Sequence, residues 1–249
     1  MQSGRAAGFP YGASPVFRQL LSALLMALAA TMAAAAATTD STNEFWPEFD
    51  FFIKLNEKAR IFALYTATRA ENLGTYADGQ SGVHIDFYAV RALRKTVISH
   101  VDQSRSRALM VRAGYLVSRP KNNSGTATEH MATAEATGRA HLPAGLLLSD
   151  RNRIDFRWVD GNPRHRYRNR LKLERTFDAG RFQLTPYVHG EVFFELRNRD
   201  WTRLRYAVGG EWNITKHIVL EGYFLRQNTW ASVPQFVNAV GSAVQFYFR

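Results

Sequence analysis

Arginine recurs at alternate positions in several stretches in the middle of this 249-residue chain. Guanidinium groups in rows suit two kinds of chemistry: charge-assisted hydrogen bonds to carboxylates, or electrostatic attraction of anionic solutes. Carboxylates and one histidine occur in the same stretches at matching positions, so both kinds of chemistry have their partners in the sequence. The charged residues that we single out are Arg153, Asp155, Arg157, Arg166, Arg168, Arg170, Glu174, His189, Glu191, Arg203, Arg205, Glu211 and Glu221.

Strands must position these residues, because the surrounding sequence alternates with a period of two. Within residues 146–159, apolar Ile154 and Phe156 alternate with charged Arg153 and Asp155. Such alternation places one kind of side chain on each face of a β-strand. Comparable runs cover residues 164–177, 181–194, 201–212, 217–227 and the end of the chain to Phe248.

The composition favours a transmembrane β-barrel over a helical membrane protein. The mean hydropathy is -0.28 and 21% of the residues are charged, yet 13% are aromatic and cysteine is absent. A membrane barrel combines these properties because only every second residue of its strands meets lipid. A lipid-facing arginine near the bilayer midplane costs about 2–4 kcal/mol. We therefore expect the arginine-rich faces to point inward. A soluble periplasmic β-sandwich is the alternative that the alternation leaves open.

The N-terminus has the pattern of a cleaved signal peptide. Arg5 and Arg18 precede an uncharged stretch from Leu20 to Ala37, whose second half is mostly alanine. A basic flank, an apolar stretch and small residues before the cleavage site are typical of secretory leaders. We predict a signal peptide at residues 1–37 and one barrel domain at residues 38–249, which keeps a formal net charge of +9 because the leader holds two arginines and no acidic residue. A membrane anchor is the other interpretation of this stretch.

The predicted fold is an all-β, antiparallel transmembrane barrel of about twelve strands, within a range of ten to twelve. Residues 45–55, 59–69, 83–91 and 95–101 complete the count, and an even number keeps both termini on the periplasmic side. With this count the long connection from Ala70 to Gly82 falls on the side of the short turns. Either that turn is unusually long, or residues 83–101 form a single strand and the first run is not a strand of the barrel. Short connections are predicted on one side, at Asp102–Ser104, Pro143–Gly145, Asp178–Gly180 and Asn213–Lys216, with mostly longer ones on the other.

Several stretches resemble a bacterial family, the domain-of-unknown-function family of predicted porin-like outer-membrane β-barrels. The similarity lies in Asn152–Trp158, Arg166–Arg175, Pro186–Glu191 and Arg203–Tyr206, and in the opening Glu44–Pro47. The resemblance covers most of the mature chain and implies location in the bacterial outer membrane and a barrel fold. It implies no activity, no catalytic residue and no cofactor.

The predicted function follows from the lumen that the thirteen charged residues are expected to line. Barrels of about eight strands are filled by side chains, whereas those of about sixteen leave an aqueous channel. For twelve strands two functions are predicted: a structural barrel with paired Arg and Glu, or a narrow, passive, anion-leaning pore. We expect the barrel to be monomeric or weakly oligomeric. Expected partners are outer-membrane lipid, lipopolysaccharide phosphates at Arg164, His165, Arg197 and Arg199, and small anionic solutes, but no nucleic acid.

A lipid-active enzyme at the barrel rim is the alternative function. Its candidate pairs are Ser99 with His100, Glu129 with His130, and His189 with Glu191. Adjacent strand residues point to opposite faces, so only the last pair shares a face. No zinc spacing, phosphate-binding loop or nucleophile elbow occurs in the sequence, and we predict neither enzymatic activity nor a metal or cofactor.

Overall fold

A computed structural model describes residues 41–70, 75–90, 101–122, 125–179, 182–230 and 235–249. The predicted signal peptide lies outside these residues. The structure is built almost entirely from strands, and among the described residues no helix is long and apolar enough to cross a membrane. The strands are β1 (Ser41–Lys54), β2 (Ala59–Ala70), β3 (Thr75–Val90), β4 (Leu109–Ser118), β5 (Lys121–Asn122), β6 (Gly125–Thr126), β7 (Glu129–Leu142), β8 (Leu146–Val159), β9 (Asn162–Arg175), β10 (Phe177–Ala179), β11 (Phe182–Glu195), β12 (Asp200–Asn213), β13 (Ile218–Thr229) and β14 (Gln235–Phe248).

Eleven long strands form a closed barrel, which confirms the predicted all-β barrel. Each long strand pairs with its neighbours in the order β1-β2-β3-β4-β7-β8-β9-β11-β12-β13-β14, and β14 returns to β1. The three-residue β10 pairs with β11 beside β9 and is an extra strand at the edge of the barrel. Strands β5 and β6 form a separate small hairpin.

Eleven strands form the wall of the barrel, within the predicted range of ten to twelve, and β10 brings the sheet to the preferred twelve. Residues 75–90 form one strand, β3, where the sequence predicted a long connection followed by a strand at residues 83–91. The strand predicted at residues 95–101 lies outside the described residues except for Val101, which is not in a strand. With an odd number of strands the seam between first and last is parallel, and Ser41 of β1 pairs with Phe236 of β14. All other pairings in the barrel are antiparallel.

The two ends of the barrel carry different connections. The C-terminal end holds Phe248 and the connections 55–58, 91–108, 143–145, 176–181 and 214–217, whereas the far end holds Ser41 and the connections 71–74, 119–128, 160–161, 196–199 and 230–234. Asp102–Ser104, predicted as a short turn, lies in the connection between β3 and β4 and overlaps a turn of 3-10 helix at Gln103–Ser106. Residues 101–108 of this connection are described, and we call them the inner loop.

Packing is tightest inside the C-terminal end. Phe52, Phe62, Val219 and Tyr247 form a buried cluster against which Val101 of the inner loop packs. The ring of Phe52 stacks on those of Phe62 and Tyr247, with centroids 4.7 Å apart in both cases. Stacked rings of this kind bury large apolar areas. These side chains narrow the lumen at this end of the barrel.

The parallel seam predicts where the start of β1 lies. Because β1 runs in the direction of β14, exposed Thr42 lies at the opposite end from Arg249, whereas a twelve-strand antiparallel barrel would place both at one end. The chain has no cysteine, so single substitutions are informative. We expect Thr42→Cys and Asp160→Cys to react with an impermeant maleimide from one side of the membrane, and Arg249→Cys from the other. Labelling of Thr42→Cys together with Arg249→Cys would contradict the parallel seam.

Candidate functional site: the barrel lumen

The lumen contains a cavity of about 1670 Å³ that runs from the far end to the inner loop. Its lining includes Lys121 and Trp230 near the far end and Arg105 near the C-terminal end. Twelve of the thirteen charged residues selected from the sequence line this cavity. The remaining one, Asp155, is fully buried beneath the arginines that bind it. The structure thus brings the selected residues together around one space.

Strands β8 and β9 place arginines directly opposite one another. Arg151 pairs in register with Arg170, and Arg153 with Arg168. Like charges at directly opposed strand positions destabilise a sheet. This arrangement needs nearby carboxylates to offset the repulsion.

Asp155 is the first of these carboxylates. It lies on β8, opposite Arg166 of β9. Its Oδ1 is 2.5 Å from Nε of Arg153, and its Oδ2 is 2.8 Å from Nη2 of Arg166 and 3.8 Å from Nη1 of Arg168. One buried carboxylate therefore binds three guanidinium groups. Hydrogen bonds between ionised partners are roughly twice as strong as neutral ones.

Glu191 of β11 is the second shared carboxylate. Its Oε1 lies 2.6 Å from Nη2 of Arg151 and 2.9 Å from Nη2 of Arg168, and its Oε2 lies 3.6 Å from Nη1 of Arg205. The side chain of Glu191 is only 2% exposed. Because its partners come from three strands, Glu191 connects β8, β9 and β12 across the inside of the wall.

Phe193 supplies an aromatic surface for the same arginines. Its ring is 1% exposed, and the guanidinium carbons of Arg168, Arg205 and Arg166 lie 4.7, 5.0 and 5.3 Å from its centroid. A cation over an aromatic face within about 6 Å is attracted by the ring quadrupole. The arginines are thus held by carboxylates at their tips and by Phe193 at their planar faces.

The inner loop inserts a further arginine into the lumen. Arg105, in a turn of 3-10 helix at Gln103–Ser106, is bound by Glu211 and lies 3.3 Å from Glu174. Burial opposes the charge of Arg105, but the two glutamates outweigh this and raise the pKa of its guanidinium above the usual range. Asp102 of the same loop binds Arg60 at 2.7 Å. These contacts fix the inner loop across the C-terminal end.

Sequence reasoning did not find Arg105, nor Arg60, Arg112 and Asp86 in the N-terminal strands. Arg60 and Arg112 both bind Asp86, at 2.7 and 2.5 Å. The alternating pattern did mark Arg60, Arg112 and Asp86, because each occupies one of the polar alternate positions of its strand. Arg105 carried no such signal, since alternation says nothing about where a loop residue points.

The described residues bring none of the proposed catalytic pairs together. Glu129 binds Arg157 inside the lumen at 2.5 Å, whereas the neighbouring His130 contacts Tyr115 on the outer face. Glu191 is bound by arginines, and His189 stacks on Tyr187 with centroids 5.9 Å apart. Ser99 and His100 lie outside the described residues. No group of three or more metal-binding side chains occurs in the part of the chain that the structure describes.

Two glycines and a tyrosine fit closely on the inner wall. Tyr223 lies in register with Gly241 on one side and Gly209 on the other. A Cβ at Gly241 would lie 1.9 Å from the tyrosine ring. We expect Gly241→Ala to lower the free energy of unfolding by about 1–3 kcal/mol, the usual cost of overpacking. Urea unfolding followed on gels tests this, with Gly222→Ala as control because nothing lies within 4 Å of that position. Equal stabilities of the two variants would contradict the packing.

Comparisons with known proteins identify a family for this chain and leave its activity open. No curated protein matches the chain. The beta domain of the Bordetella autotransporter BrkA, a crystal structure, is 15% identical to it, with a TM-score of 0.39 over 75% of this chain and 82% of that one. A family model described as "Protein of unknown function (DUF2490)" matches residues 101–238, which is more than half of the chain. The arginine-lined barrel described above therefore belongs to the DUF2490 family.

Proposed function

We propose that this protein is a narrow, passive, anion-leaning pore of the bacterial outer membrane. The observation that carries the proposal is the cavity, which is lined by guanidinium groups and extends from the far end down to Arg105. Rows of cationic groups inside a low-dielectric wall focus the field and raise the local concentration of anions. Outer-facing Phe49, Tyr65 and Val83 are 42%, 52% and 57% exposed, as expected for a wall that meets lipid.

The charge of the lumen supports a weak preference for anions over cations and not strict anion selectivity. The cavity lining holds sixteen lysines and arginines and thirteen acidic residues, and Asp86 and Asp155 lie beneath it. The formal excess inside the barrel is therefore far smaller than that of the chain as a whole. Arg170 and Arg203 form no ion pair with any described residue, so these two are the best placed to act on a passing solute.

Conductance of planar bilayers tests this function. With a salt gradient, the reversal potential should show anion preference, and the double variant Arg170→Gln, Arg203→Gln should reduce that preference. Arg69→Gln is the matched control, because Arg69 is exposed at the far end of β2 and lies outside the cavity lining. A cation-preferring current, or a preference that the double variant leaves unchanged, would contradict the proposal.

A structural barrel is the second candidate, and the side chains that narrow the lumen at the C-terminal end favour it. In that case the ion pairs serve the wall alone, and the bilayer experiment shows no current with any variant. We propose a passive role in either case and no enzymatic activity. Release of fatty acid from vesicles by the purified protein would contradict both candidates.

Lipopolysaccharide contacts at the far end are also proposed. Of the four residues suggested by the sequence, Arg164 and Arg197 line the cavity. His165 packs near Phe156 on the outer face, where the two ring centroids are 5.5 Å apart. Arg199 lies in the turn before β12. We therefore assign lipid phosphate contact to His165 and Arg199. Arg199→Ala should weaken binding of lipopolysaccharide to the purified barrel, whereas Arg164→Ala should not.

A further inference from the structure

Several unpaired charges of the lumen lie on opposite walls. On one wall Glu44, Glu48 and Asp50 of β1 and Glu221 of β13 line the cavity, and none of them forms an ion pair with a described residue. On the other wall Arg139 of β7 and Arg170 of β9 line it and likewise lack a described carboxylate within ion-pair distance. Arg203 of β12, which also lacks a described ion-pair partner, lies beside the acidic wall and belongs to neither group.

The strand order makes these walls face each other. Counting around the closed barrel, β8 is five strands from β1 in one direction and β9 is five strands from it in the other. Eleven strands about 4.8 Å apart and tilted by roughly 40° enclose about 22 Å between opposite backbones. By standard bond lengths, an extended arginine side chain and an opposing carboxylate side chain together span about half of that width. The remaining gap matches the length of about three extended residues.

Several of these charged groups are buried with polar atoms left over. Asp50 is 7% exposed, and its Oδ1 has no hydrogen-bond partner among the described residues. Nη1 of Arg139 is buried and also lacks one. A buried polar atom without a hydrogen-bond partner is costly, and a bound group of opposite charge removes that cost. A cation bound at Asp50 and an anion bound at Arg139 would therefore be stabilised.

Two aromatic groups flank the space between the walls. Trp46 donates from Nε1 to Glu44 at 2.6 Å, and the guanidinium carbon of Arg205 lies 4.9 Å from its ring centroid. Tyr187 donates to Glu221, and Gln245 donates to the same carboxylate at 3.0 Å. The acidic wall therefore has fixed orientations as well as charge.

From this arrangement we propose that the lumen binds solutes carrying an amine and a carboxylate about three residues apart, such as short unmodified peptides. The amine binds at Glu48 and Asp50 and the carboxylate at Arg170. This inference rests on the proposed passive pore and names the class of solute that it takes. A solute with one charge can contact the opposite charges of only one wall, whereas a dipolar solute can contact those of both walls.

Four forms of one peptide test this proposal. Trialanine carries both charges at pH 7, N-acetyl-trialanine only the negative one, trialanine amide only the positive one, and N-acetyl-trialanine amide none. Calorimetry with the full chain in detergent should show trialanine binding about tenfold more tightly than either singly charged form. A tenfold difference in affinity corresponds to one favourable charge contact. Equal affinity of trialanine and N-acetyl-trialanine would overturn the proposal.

Variants of each wall assign the two ends of the peptide. Glu48→Gln with Asp50→Asn should reduce the affinity for trialanine to that for N-acetyl-trialanine, and Arg170→Gln should reduce it to that for trialanine amide. Glu57→Gln is the matched acidic control, because that residue is 73% exposed in a turn outside the cavity. Arg69→Gln is the matched basic control. Heat-modifiable gel migration verifies that each variant is a closed barrel.

Conductance on the same preparations separates this proposal from the pore itself. Chloride current without any preference among the four peptides overturns the dipolar site and leaves the pore standing. Preference for trialanine without current overturns the pore and leaves a dipolar binding site in a closed barrel. A loss of trialanine preference in the Glu57→Gln control would also overturn the assignment.

Discussion

Glu191→Ala should lower the free energy of unfolding by about 3–5 kcal/mol, the usual cost of removing one partner of a buried ion pair. Glu191 is 2% exposed and binds Arg151, Arg168 and Arg205. Its loss leaves three guanidinium groups from three strands facing one another without their shared carboxylate. Because β8 pairs with β9, and β12 is separated from β9 only by β11, the repulsion acts on the strand pairing itself. Urea unfolding of the folded barrel, followed by its heat-modifiable band, measures the change.

Two further variants separate charge from packing at this position. Glu191→Gln keeps the shape and should lose less stability than Glu191→Ala, since the amide oxygen still accepts one hydrogen bond. Glu57→Ala removes an exposed carboxylate and should change stability by less than about 0.5 kcal/mol. A loss below about 1 kcal/mol for Glu191→Ala would mean that water solvates these arginines in the lumen and that the ion pairs add little.

Arg105→Ala should open the C-terminal end of the lumen and raise the single-channel conductance severalfold. Arg105 ties the inner loop to Glu174 of β9 and Glu211 of β12, and its side chain is 8% exposed. Without the guanidinium, the two glutamates repel each other and the loop loses its contact with that side of the wall. Lys172, which lies 2.7 Å from Glu174 and 3.0 Å from Glu211, remains and keeps both carboxylates partly paired.

Arg107→Ala is the matched control for this prediction. Arg107 belongs to the same inner loop, but it donates to the backbone oxygen of Glu57 at 2.9 Å and does not line the cavity. Its conductance should equal that of the unmodified protein. If Arg105→Ala and Arg107→Ala conduct alike, the inner loop does not obstruct the lumen.

The central strands were predictable because their alternation is uninterrupted. The run predicted at residues 146–159 coincides with β8, and those at 164–177 and 181–194 lie within two residues of β9 and β11. The start of β3 was missed because Asp78–Gly79 and Ser81–Gly82 are typical turn sequences. In the barrel, Gly82 instead allows close packing, since a Cβ there would lie 2.6 Å from Leu116.

The site was predictable to the same extent as the strands. The alternation alone indicated that the side chains of Arg168 and Glu191 point into the lumen, because successive side chains of a strand point to opposite faces. Which carboxylate serves which arginine depends on strand register, and the alternation does not specify register between neighbouring strands. The acidic wall on β1 was overlooked for another reason: its importance appears only when the closed strand order places β1 opposite β8 and β9.

Spin-label accessibility along the strands tests most directly whether lipid lies outside the wall and the charged side chains face the lumen. Nitroxides are placed at outward Phe156 and Leu204 and at inward Ser149 and Gln227 of the protein in bilayers. The first two nitroxides should collide with oxygen dissolved in the lipid, and the last two should collide with a water-soluble nickel chelate. Shielding of Phe156 and Leu204 from both reagents would place them in a dry protein interior and contradict the membrane barrel.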